Sequence, residues 1–309
     1  MESQRLINLC EAIDSSVKES CNDSVTISFS GGIDSSLVAF VAKKYCNVEL
    51  ISVGTKNSHD LKAADTAAEM IGLELKKIVV SAEDMINEAM ELQKYIKLEP
   101  IEVEFMLPFW IAAKNSKSAV LMCGQGADEL FGGYARFRKP ESRNNLEREV
   151  SELIERLPER EEKISEKFNL RLSCPFLSET VVRSGEAYTQ EERVGSVGKE
   201  PLRKAAVKMG LPEEIAKRKK KAAQYGSGSQ KAIRKMMKCK IELQLDFESM
   251  DVANSVVIAT EPENKGWVET KVEGNCVNAV IKAKDIGSLR ETFEDFMACV
   301  SVAEKVSEQ

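Results

Sequence analysis

The fold of this chain is decided at Ser28-Phe29-Ser30-Gly31-Gly32-Ile33-Asp34-Ser35-Ser36. This stretch follows the β-branched, apolar run Val25-Thr26-Ile27 and precedes an apolar segment at 37–41, so the pattern predicts a strand, a glycine turn and a helix in that order. The first backbone N–H groups of a helix have no partner inside it, and two glycines let an anion approach them closely. The stretch therefore predicts a phosphate-binding turn.

The side chains of this turn separate it from other phosphate-binding loops. It lacks the lysine of a G-x-x-x-x-G-K-[ST] loop, which disfavours a nucleotide triphosphatase of that type. The hydroxyls of Ser30, Ser35 and Ser36 are hydrogen-bond donors, and the carboxylate of Asp34 fits beside phosphates if Mg²⁺ accompanies them. A simpler interpretation is that Asp34 and Ser35 only cap a helix and bind nothing.

A second glycine-containing stretch, Gly124-Gln125-Gly126-Ala127-Asp128-Glu129, follows a predicted strand at 118–122. Because parallel strands present their carboxyl ends at one edge of a sheet, we expect this stretch to lie near the first turn. One Mg²⁺ held by Asp34 and Asp128 would neutralise charge on a leaving phosphate group. Alternatively, Asp128 and Glu129 only cap the helix that follows.

Strands and helices alternate through the first 125 or so residues, which predicts an α/β fold with a doubly wound, mostly parallel sheet. The predicted strands are 25–27, 48–54, 74–80 and 118–122, and the predicted helices are 5–19, 37–41, 61–71, 82–92 with Ser81 as N-cap, and 108–115. The second strand ends at Ser52, Val53 and Gly54, which places these residues near a nucleotide base. The alternative is that Val53 and Gly54 only end a core strand.

Composition excludes several classes of protein. The chain has 309 residues, 43% of them hydrophobic and 30% charged, with no apolar run of membrane-spanning length and no signal-peptide pattern, so we expect a cytoplasmic protein without membrane contact. Eight cysteines without a C-x-x-C pair predict reduced thiols. His59 is the only histidine, which argues against histidine-based catalysis or metal binding.

Charge changes along the chain. Residues 241–309 contain 6 Lys/Arg and 14 Asp/Glu, a net charge of −8, while residues 1–240 hold 38 against 36, a net of +2. We therefore predict a first domain at 1–238 and a small α+β domain at 239–309. The predicted tail strands are 241–247, 267–272 and 276–283, and the predicted tail helices are 248–260 and one that opens on a capping box of Ser288 and Glu291.

Together, SGGIDSS at 30–36 and GQGADELFGGY at 124–134 resemble the synthetase domain of the asparagine synthetase family, over about residues 20–235. The resemblance implies an adenine nucleotide alpha hydrolase-like sheet that binds ATP and Mg²⁺, with the end of the second strand against adenine. The implied ATP- and pyrophosphate-binding residues are Ser30, Gly31, Gly32, Asp34, Ser35, Ser36, Ser52, Val53, Gly54 and Gly124. The implied metal ligands are Asp34 and Asp128, and the implied catalytic residues are Lys221, Asp128, Gln125 and Glu129.

The lysine in that set belongs to a basic run, Lys217-Arg218-Lys219-Lys220-Lys221. In the related synthetases one lysine here stabilises negative charge on the adenylate; Lys221 matches it best and Lys220 nearly as well. The other cations of the run are read as a solvated or polyanion-binding surface. Residues 199–205 and 211–215 also match recurring family stretches, without an assigned role.

Two departures from the family limit what the resemblance implies. Met1-Glu2 leads almost directly into the first turn, where the relatives have a glutaminase domain, so we expect ammonia or a separate amidase subunit to supply nitrogen. Many relatives have Glu where this chain has Gln125, and an amide cannot accept a proton from the attacking ammonia. Either another carboxylate, such as Glu129 or Glu104, serves as the base, or the second half-reaction differs from asparagine formation.

The tail, from Pro262 through Ala283-Lys284-Asp285-Ile286-Gly287-Ser288, resembles the small dimerising subunit of the KEOPS tRNA-modification complex. The resemblance implies a homodimer through residues 239–309 and contact with KEOPS-like proteins and tRNA. The acidic charge of this copy disfavours tRNA contact by the tail itself. An unrelated domain of two helices and three strands is the alternative.

The sequence as a whole predicts an ATP-dependent, AMP- and pyrophosphate-forming carbon–nitrogen ligase. A small-molecule carboxylate or amide is the expected substrate, and conversion of aspartate to asparagine is the default by resemblance. Two other functions fit the same residues. One is a tRNA-modification factor, and the other is a non-catalytic nucleotide-binding scaffold.

Overall fold

The computed structural model describes residues 2–134, 159–218, 226–229, 239–264, 268–283 and 286–307. It divides into two compact units, residues 1–232 and 233–309, and each is described here by itself. From sequence we placed the boundary slightly later, between 238 and 239.

The first unit is built on a five-stranded parallel sheet with the strand order β3-β2-β1-β4-β5. This confirms the predicted doubly wound α/β fold. The strands are β1 (Ser24–Ser28), β2 (Asn47–Gly54), β3 (Leu75–Val79), β4 (Val120–Met122) and β5 (Arg171–Ser173). The chain adds β2 and β3 on one side of β1 and then β4 and β5 on the other side. The direction of the strand order therefore reverses between β1 and β4, and in open α/β sheets the crevice that binds ligands lies at the carboxyl ends of the strands at such a reversal.

Helices cover the sheet and connect its strands. They are α1 (Glu2–Ser20), α2 (Ile33–Ala42), α3 (His59–Ile71), α4 (Ala82–Tyr95), α5 (Pro100–Lys114), α6 (Ala127–Leu130), α7 (Glu159–Lys167), α8 (Glu179–Glu186), α9 (Gln190–Val194), α10 (Glu200–Lys208) and α11 (Glu213–Lys217). Apolar side chains of the central strands and of α2 are fully buried between them, among them Ile27, Leu37, Leu50 and Met122. Burial on both faces explains why β1 and β2 read as continuous apolar runs rather than alternating ones.

The helix predicted at 108–115 begins eight residues earlier, at Pro100, and so contains Pro108 in its interior. At its start the Glu102 carboxylate accepts a hydrogen bond of 2.9 Å from the Glu99 N–H. Pro108 has no N–H to donate to the carbonyl of Glu104, four residues before it. The Ser229 hydroxyl donates a hydrogen bond of 2.6 Å to that carbonyl instead. Ser229, 125 positions from Glu104, therefore supplies the hydrogen bond that Pro108 cannot donate.

The second unit has an antiparallel sheet of three strands in the order β6-β8-β7. Its elements are β6 (Cys239–Asp246), α12 (Met250–Asn264), β7 (Val268–Glu273), β8 (Cys276–Ala283) and α13 (Ile286–Ser307). Val277, Ala279 and Ile281 of β8 are buried with Ala253 of α12 and Phe296 of α13 in one core. Half-buried and exposed residues alternate along β7, and the exposed residues Glu269, Lys271 and Glu273 make the other face polar.

The predicted capping box at Ser288 and Glu291 is wrong. Helix α13 begins at Ile286, so Ser288 lies inside its first turn, where its carbonyl accepts a hydrogen bond of 2.8 Å from the Thr292 hydroxyl. The pattern S-x-x-E occurs within helices as well as before them, and only the backbone path shows which applies.

Among the described helices, none combines the length and the apolar character that a membrane crossing requires. Part of the charged segment at 136–167 forms α7, and residues 136–158 of that segment lie outside the described residues.

Candidate functional site

The two glycine-containing stretches meet in the crevice between β1 and β4. Strands β1 and β4 are direct neighbours, with Ile27 opposite Met122, so the turns that follow them leave the sheet side by side. At Gly124 the two turns touch, because a Cβ built on this glycine would come within 2.7 Å of the Asp34 Cβ. A side chain at position 124 would force the turns apart.

The first turn has the backbone that its sequence predicts. Gly31 has φ +67°, and a Cβ there would lie 2.4 Å from the carbonyl oxygen of Ala63 in α3, so both conformation and space require glycine. Gly32 precedes the first residue of α2 in extended conformation, which turns the helix N-terminus toward the crevice. This end of a helix attracts anions.

The serines of this turn play different parts. The Ser35 hydroxyl accepts a hydrogen bond of 3.3 Å from the Ser30 N–H and donates one of 3.4 Å to the Gly32 carbonyl, so it stabilises the turn from within. The Ser30 hydroxyl accepts one of 3.3 Å from the Gly32 N–H. The Ser36 hydroxyl is buried and has no hydrogen-bond partner among the described residues. Ser30 alone of the three is exposed.

The second turn places its carboxylates at the start of the short helix α6, where Asp128 and Glu129 are both buried. Gly126 has φ +91° and faces Leu177 so closely that a Cβ would lie 2.3 Å from its side chain. The Glu129 carboxylate accepts a hydrogen bond from the Tyr134 hydroxyl. Gln125 is half-buried between the two glycines.

A buried lysine joins the two motifs. The Lys199 Nζ lies 2.7 Å from both carboxylate oxygens of Asp34 and 2.8 Å from Oδ1 of Asp128. Its side chain is only 2% exposed, whereas those of the two aspartates are 14% and 11% exposed. Two carboxylates from separate motifs therefore converge on one ammonium.

Two opposing effects act on this ammonium. Burial lowers the pKa of Lys199 because it removes water from the charged form, while the Asp34 carboxylate acts in the opposite direction. The backbone also has an uncommon conformation here. Lys199 has φ +60° at the N-terminal end of α10, and only one other non-glycine residue among the described ones, Asn169, has a positive φ. Non-glycine residues in this conformation concentrate at functional sites.

The sequence did not reveal Lys199 as a site residue. It matched a family stretch at 199–205, but nothing in that stretch separates a buried lysine from an exposed one. The predicted magnesium position between Asp34 and Asp128 is the position of the Lys199 ammonium in this structure. Among the described residues, no cluster of three or more His, Cys, Asp or Glu side chains has a geometry suited to a metal ion.

The end of β2 also reaches the crevice. Ser52, Val53 and Gly54 are all buried, and the Ser52 hydroxyl has no hydrogen-bond partner among the described residues. Residues 226–229 pack against this end, since the Thr55 N–H donates a hydrogen bond of 3.0 Å to the Ser227 carbonyl. A Cβ on Gly54 would lie 2.3 Å from the Ser58 hydroxyl.

Arg218, from the basic run, contacts the first turn. Its Nη1 donates a hydrogen bond of 2.8 Å to the Gly31 carbonyl, and its Nη2 lies 3.3 Å from Nδ1 of His59 at the start of α3. Burial lowers the pKa of its guanidinium, while Asp60 opposes that shift. Lys220 and Lys221, the predicted catalytic cations, lie outside the described residues.

Comparison with known proteins agrees with the motifs. Residues 8–169 match the sequence profile described as asparagine synthase. A putative glutamine-hydrolysing asparagine synthetase of Methanocaldococcus jannaschii is 34% identical over 260 residues, which cover 70% of this chain and 48% of that protein. The glutamine-hydrolysing asparagine synthetase of Mus musculus is 30% identical over 256 residues, which cover 76% of this chain and 46% of that protein.

One solved structure, described as a predicted subunit of tRNA methyltransferase from Methanocaldococcus jannaschii, covers 63% of this chain and 92% of its own at 18% identity, with a TM-score of 0.33. A score of this size does not bear on function. The chain spans about half the length of these two curated relatives. The match over residues 8–169, together with both motifs at one crevice, shows that the chain belongs to the asparagine synthase family.

Proposed function

We propose that this chain is an ATP-dependent synthetase that adenylates a carboxylate, releases pyrophosphate and transfers the activated acyl group to ammonia. Aspartate is the default substrate and asparagine the default product. The observation that supports this proposal most directly is the convergence of Asp34 and Asp128, one from each motif, at a single point in the crevice. Membership of the asparagine synthase family supports the same class of reaction.

In the first step a carboxylate oxygen of the substrate attacks the α-phosphorus of ATP, and the bond to the pyrophosphate oxygen breaks. The N-terminus of α2 and the glycine turn before it would bind the phosphates through backbone N–H groups. The guanidinium of Arg218 lies beside Gly31 and adds positive charge to this turn. The buried hydroxyl of Ser52, at the end of β2, is a candidate contact for the nucleoside.

The donor chemistry at the convergence point fits a divalent cation, because it consists of carboxylate oxygens from two rigid turns that face one position. Asp34 and Asp128 would hold Mg²⁺ there. When bound, the ion would neutralise the negative charge that develops on the leaving pyrophosphate.

In the second step the nitrogen lone pair attacks the acyl carbon, AMP leaves, and the nitrogen gives up a proton. Gln125 cannot accept that proton. Glu129 is a buried carboxylate three residues beyond Gly126 in the same turn, and its partner Tyr134 keeps its side chain in place. We assign the base to Glu129. Ammonia reaches the site either free or from a separate amidase subunit.

Pyrophosphate release tests this proposal. The purified chain is supplied with Mg-ATP and aspartate, with and without ammonium, and pyrophosphate and asparagine are measured. Release that requires aspartate supports the adenylation step, and asparagine formed only with ammonium supports the transfer step. A second set of reactions replaces the amino acid with tRNA.

The other outcomes distinguish the alternatives. Pyrophosphate release with tRNA but not with aspartate would identify a tRNA-modification enzyme instead. Tight ATP binding without pyrophosphate release in either set would identify a nucleotide-binding scaffold. Homodimer formation through residues 239–309 and association with KEOPS-like proteins stay predictions from the resemblance, and neither is needed for the proposed reaction.

A further inference from the structure

The Lys199 ammonium occupies the position at which a metal would contact both motifs. Three carboxylate oxygens lie within 2.8 Å of its Nζ, two from Asp34 and one from Asp128. Oxygen atoms from two separate turns converge on one point only where the fold directs them there, and the same arrangement of oxygens suits a divalent cation.

One ammonium faces two carboxylates in this cluster. A divalent cation carries a charge equal and opposite to that of the two carboxylates together. The ammonium and the metal cannot share the position, since two like charges this close in a buried environment repel each other strongly. Binding of the metal therefore requires the ammonium to move.

The backbone of Lys199 is fixed by its N–H, which donates a hydrogen bond of 3.1 Å to the Phe131 carbonyl, so such a movement belongs to the side chain. That backbone is held at φ +60° and follows Gly198 at φ +83°, so two successive residues adopt the left-handed conformation just before α10. For lysine this conformation is unfavourable and persists only because the surrounding contacts impose it. Gly133 leaves room for the lysine side chain because it has no Cβ; a Cβ there would lie 2.3 Å from the Lys199 Cε.

We propose that Lys199 is a resident cation of the Asp34–Asp128 pair, whose ammonium lies between the two carboxylates in the absence of nucleotide and is displaced when a divalent cation binds between them. The phosphates that arrive with the metal provide the displaced ammonium with new partners, so metal alone binds weakly and metal with nucleotide binds well. The metal at this position rests on the proposed function; the role of Lys199 goes beyond it.

Thermal unfolding without nucleotide tests this role. Lys199→Met keeps most of the length of the side chain and removes its charge. In EDTA this variant should unfold at a lower temperature than the wild type, because two neighbouring carboxylates lose the ammonium that lies between them. Addition of Mg²⁺ or Ca²⁺ alone should raise its unfolding temperature by several degrees and leave that of the wild type almost unchanged.

Two further variants act as controls. Lys208→Met removes an exposed lysine from the same helix and should behave like the wild type. The double variant Lys199→Met with Asp128→Asn should be more stable in EDTA than Lys199→Met alone and should lose the metal-dependent shift. A Lys199→Met protein that is as stable in EDTA as the wild type, or that shows no metal-dependent shift, would overturn the proposal.

The wild type provides an independent measurement if Lys199→Met does not fold. Binding of Mn²⁺, followed by its paramagnetic resonance signal, should be weak without nucleotide and at least about tenfold stronger with a non-hydrolysable ATP analogue, because only then does the ammonium gain a new partner. Tight Mn²⁺ binding without nucleotide that Asp128→Asn abolishes would overturn the proposal. Neither the unfolding measurement nor the Mn²⁺-binding measurement requires turnover. A protein that gives the expected results in both and releases no pyrophosphate would refute the synthetase function and leave the role of Lys199 supported.

Discussion

Gly133 lies directly against Lys199, and no larger residue fits between this lysine and Asp128. A Cβ built on Gly133 would come within 2.3 Å of the Lys199 Cε and within 2.0 Å of Oδ1 of Asp128. Gly133, at the end of the second motif, therefore has a specific steric role, which is to leave room for the ammonium between the two aspartates.

Gly133→Ala should therefore destabilise the first unit by about 1–3 kcal/mol, the usual cost of overpacking a well-filled interior. Urea denaturation measures the effect. Gly72→Ala is a contrasting variant: Gly72 has φ +67° and nothing within 4 Å of its Cβ position, so its loss of stability reports the strain of a positive φ, which Gly133 does not have, rather than overpacking. Wild-type stability of Gly133→Ala would contradict the close contact.

Asp34→Asn and Asp128→Asn should each abolish pyrophosphate release, because each removes one charged oxygen donor from the convergence point and leaves the Lys199 ammonium with one carboxylate. Asp65→Asn removes an exposed carboxylate that pairs with Lys77 and should retain wild-type rates. Turnover at the wild-type rate in both site variants would remove these aspartates from the reaction.

Arg218→Met should weaken ATP binding by about tenfold, the typical loss of a charge-assisted hydrogen bond at a site. Its guanidinium donates to the Gly31 carbonyl and so supports the turn that would bind the phosphates. Lys217→Met changes the neighbouring exposed cation, which pairs with Glu213, and should leave affinity unchanged. Calorimetric titration with a non-hydrolysable ATP analogue compares the two, and equal affinities would show that Arg218 does not act on the phosphate turn.

Glu161 should make stability depend on pH. Its carboxyl is 4% exposed, one of its oxygens has no hydrogen-bond partner among the described residues, and burial raises its pKa above 4.5. A carboxyl whose folded-state pKa is raised contributes stability that is fully present below its unfolded pKa and is lost as pH rises through the folded pKa. Glu161→Gln should abolish this loss and should be at least as stable as the wild type at neutral pH.

Urea denaturation at acidic and neutral pH checks this expectation. Glu166→Gln, which changes an exposed carboxyl on the same helix, should leave the wild-type pH dependence intact. A pH dependence of Glu161→Gln that parallels the wild type between these two conditions would place its origin in another group.

Much of the fold followed from local patterns. The strand, turn and helix around Gly31 were predictable because a β-branched run, two glycines and an apolar-periodic segment each have a strong local preference. Local patterns predicted a helix that starts at Pro108, but the helix starts at Pro100 and continues through Pro108. The hydroxyl of the distant Ser229 donates to the Glu104 carbonyl, for which the proline has no N–H. The prediction from local patterns was wrong again at Ser288, because a capping pattern inside a helix looks the same as one before it.

The sequence by itself determined the two motifs, the parallel α/β sheet and the edge of that sheet at which both motifs lie, because each depends on residues close together in the chain. Only the tertiary structure decided that the Lys199 ammonium lies between the two motifs. Lys199 is 165 residues from Asp34, and neither its burial nor its contact with two carboxylates has any local signal. A buried charge is tolerated where its partners are already in place, and those partners come from segments that only folding brings together.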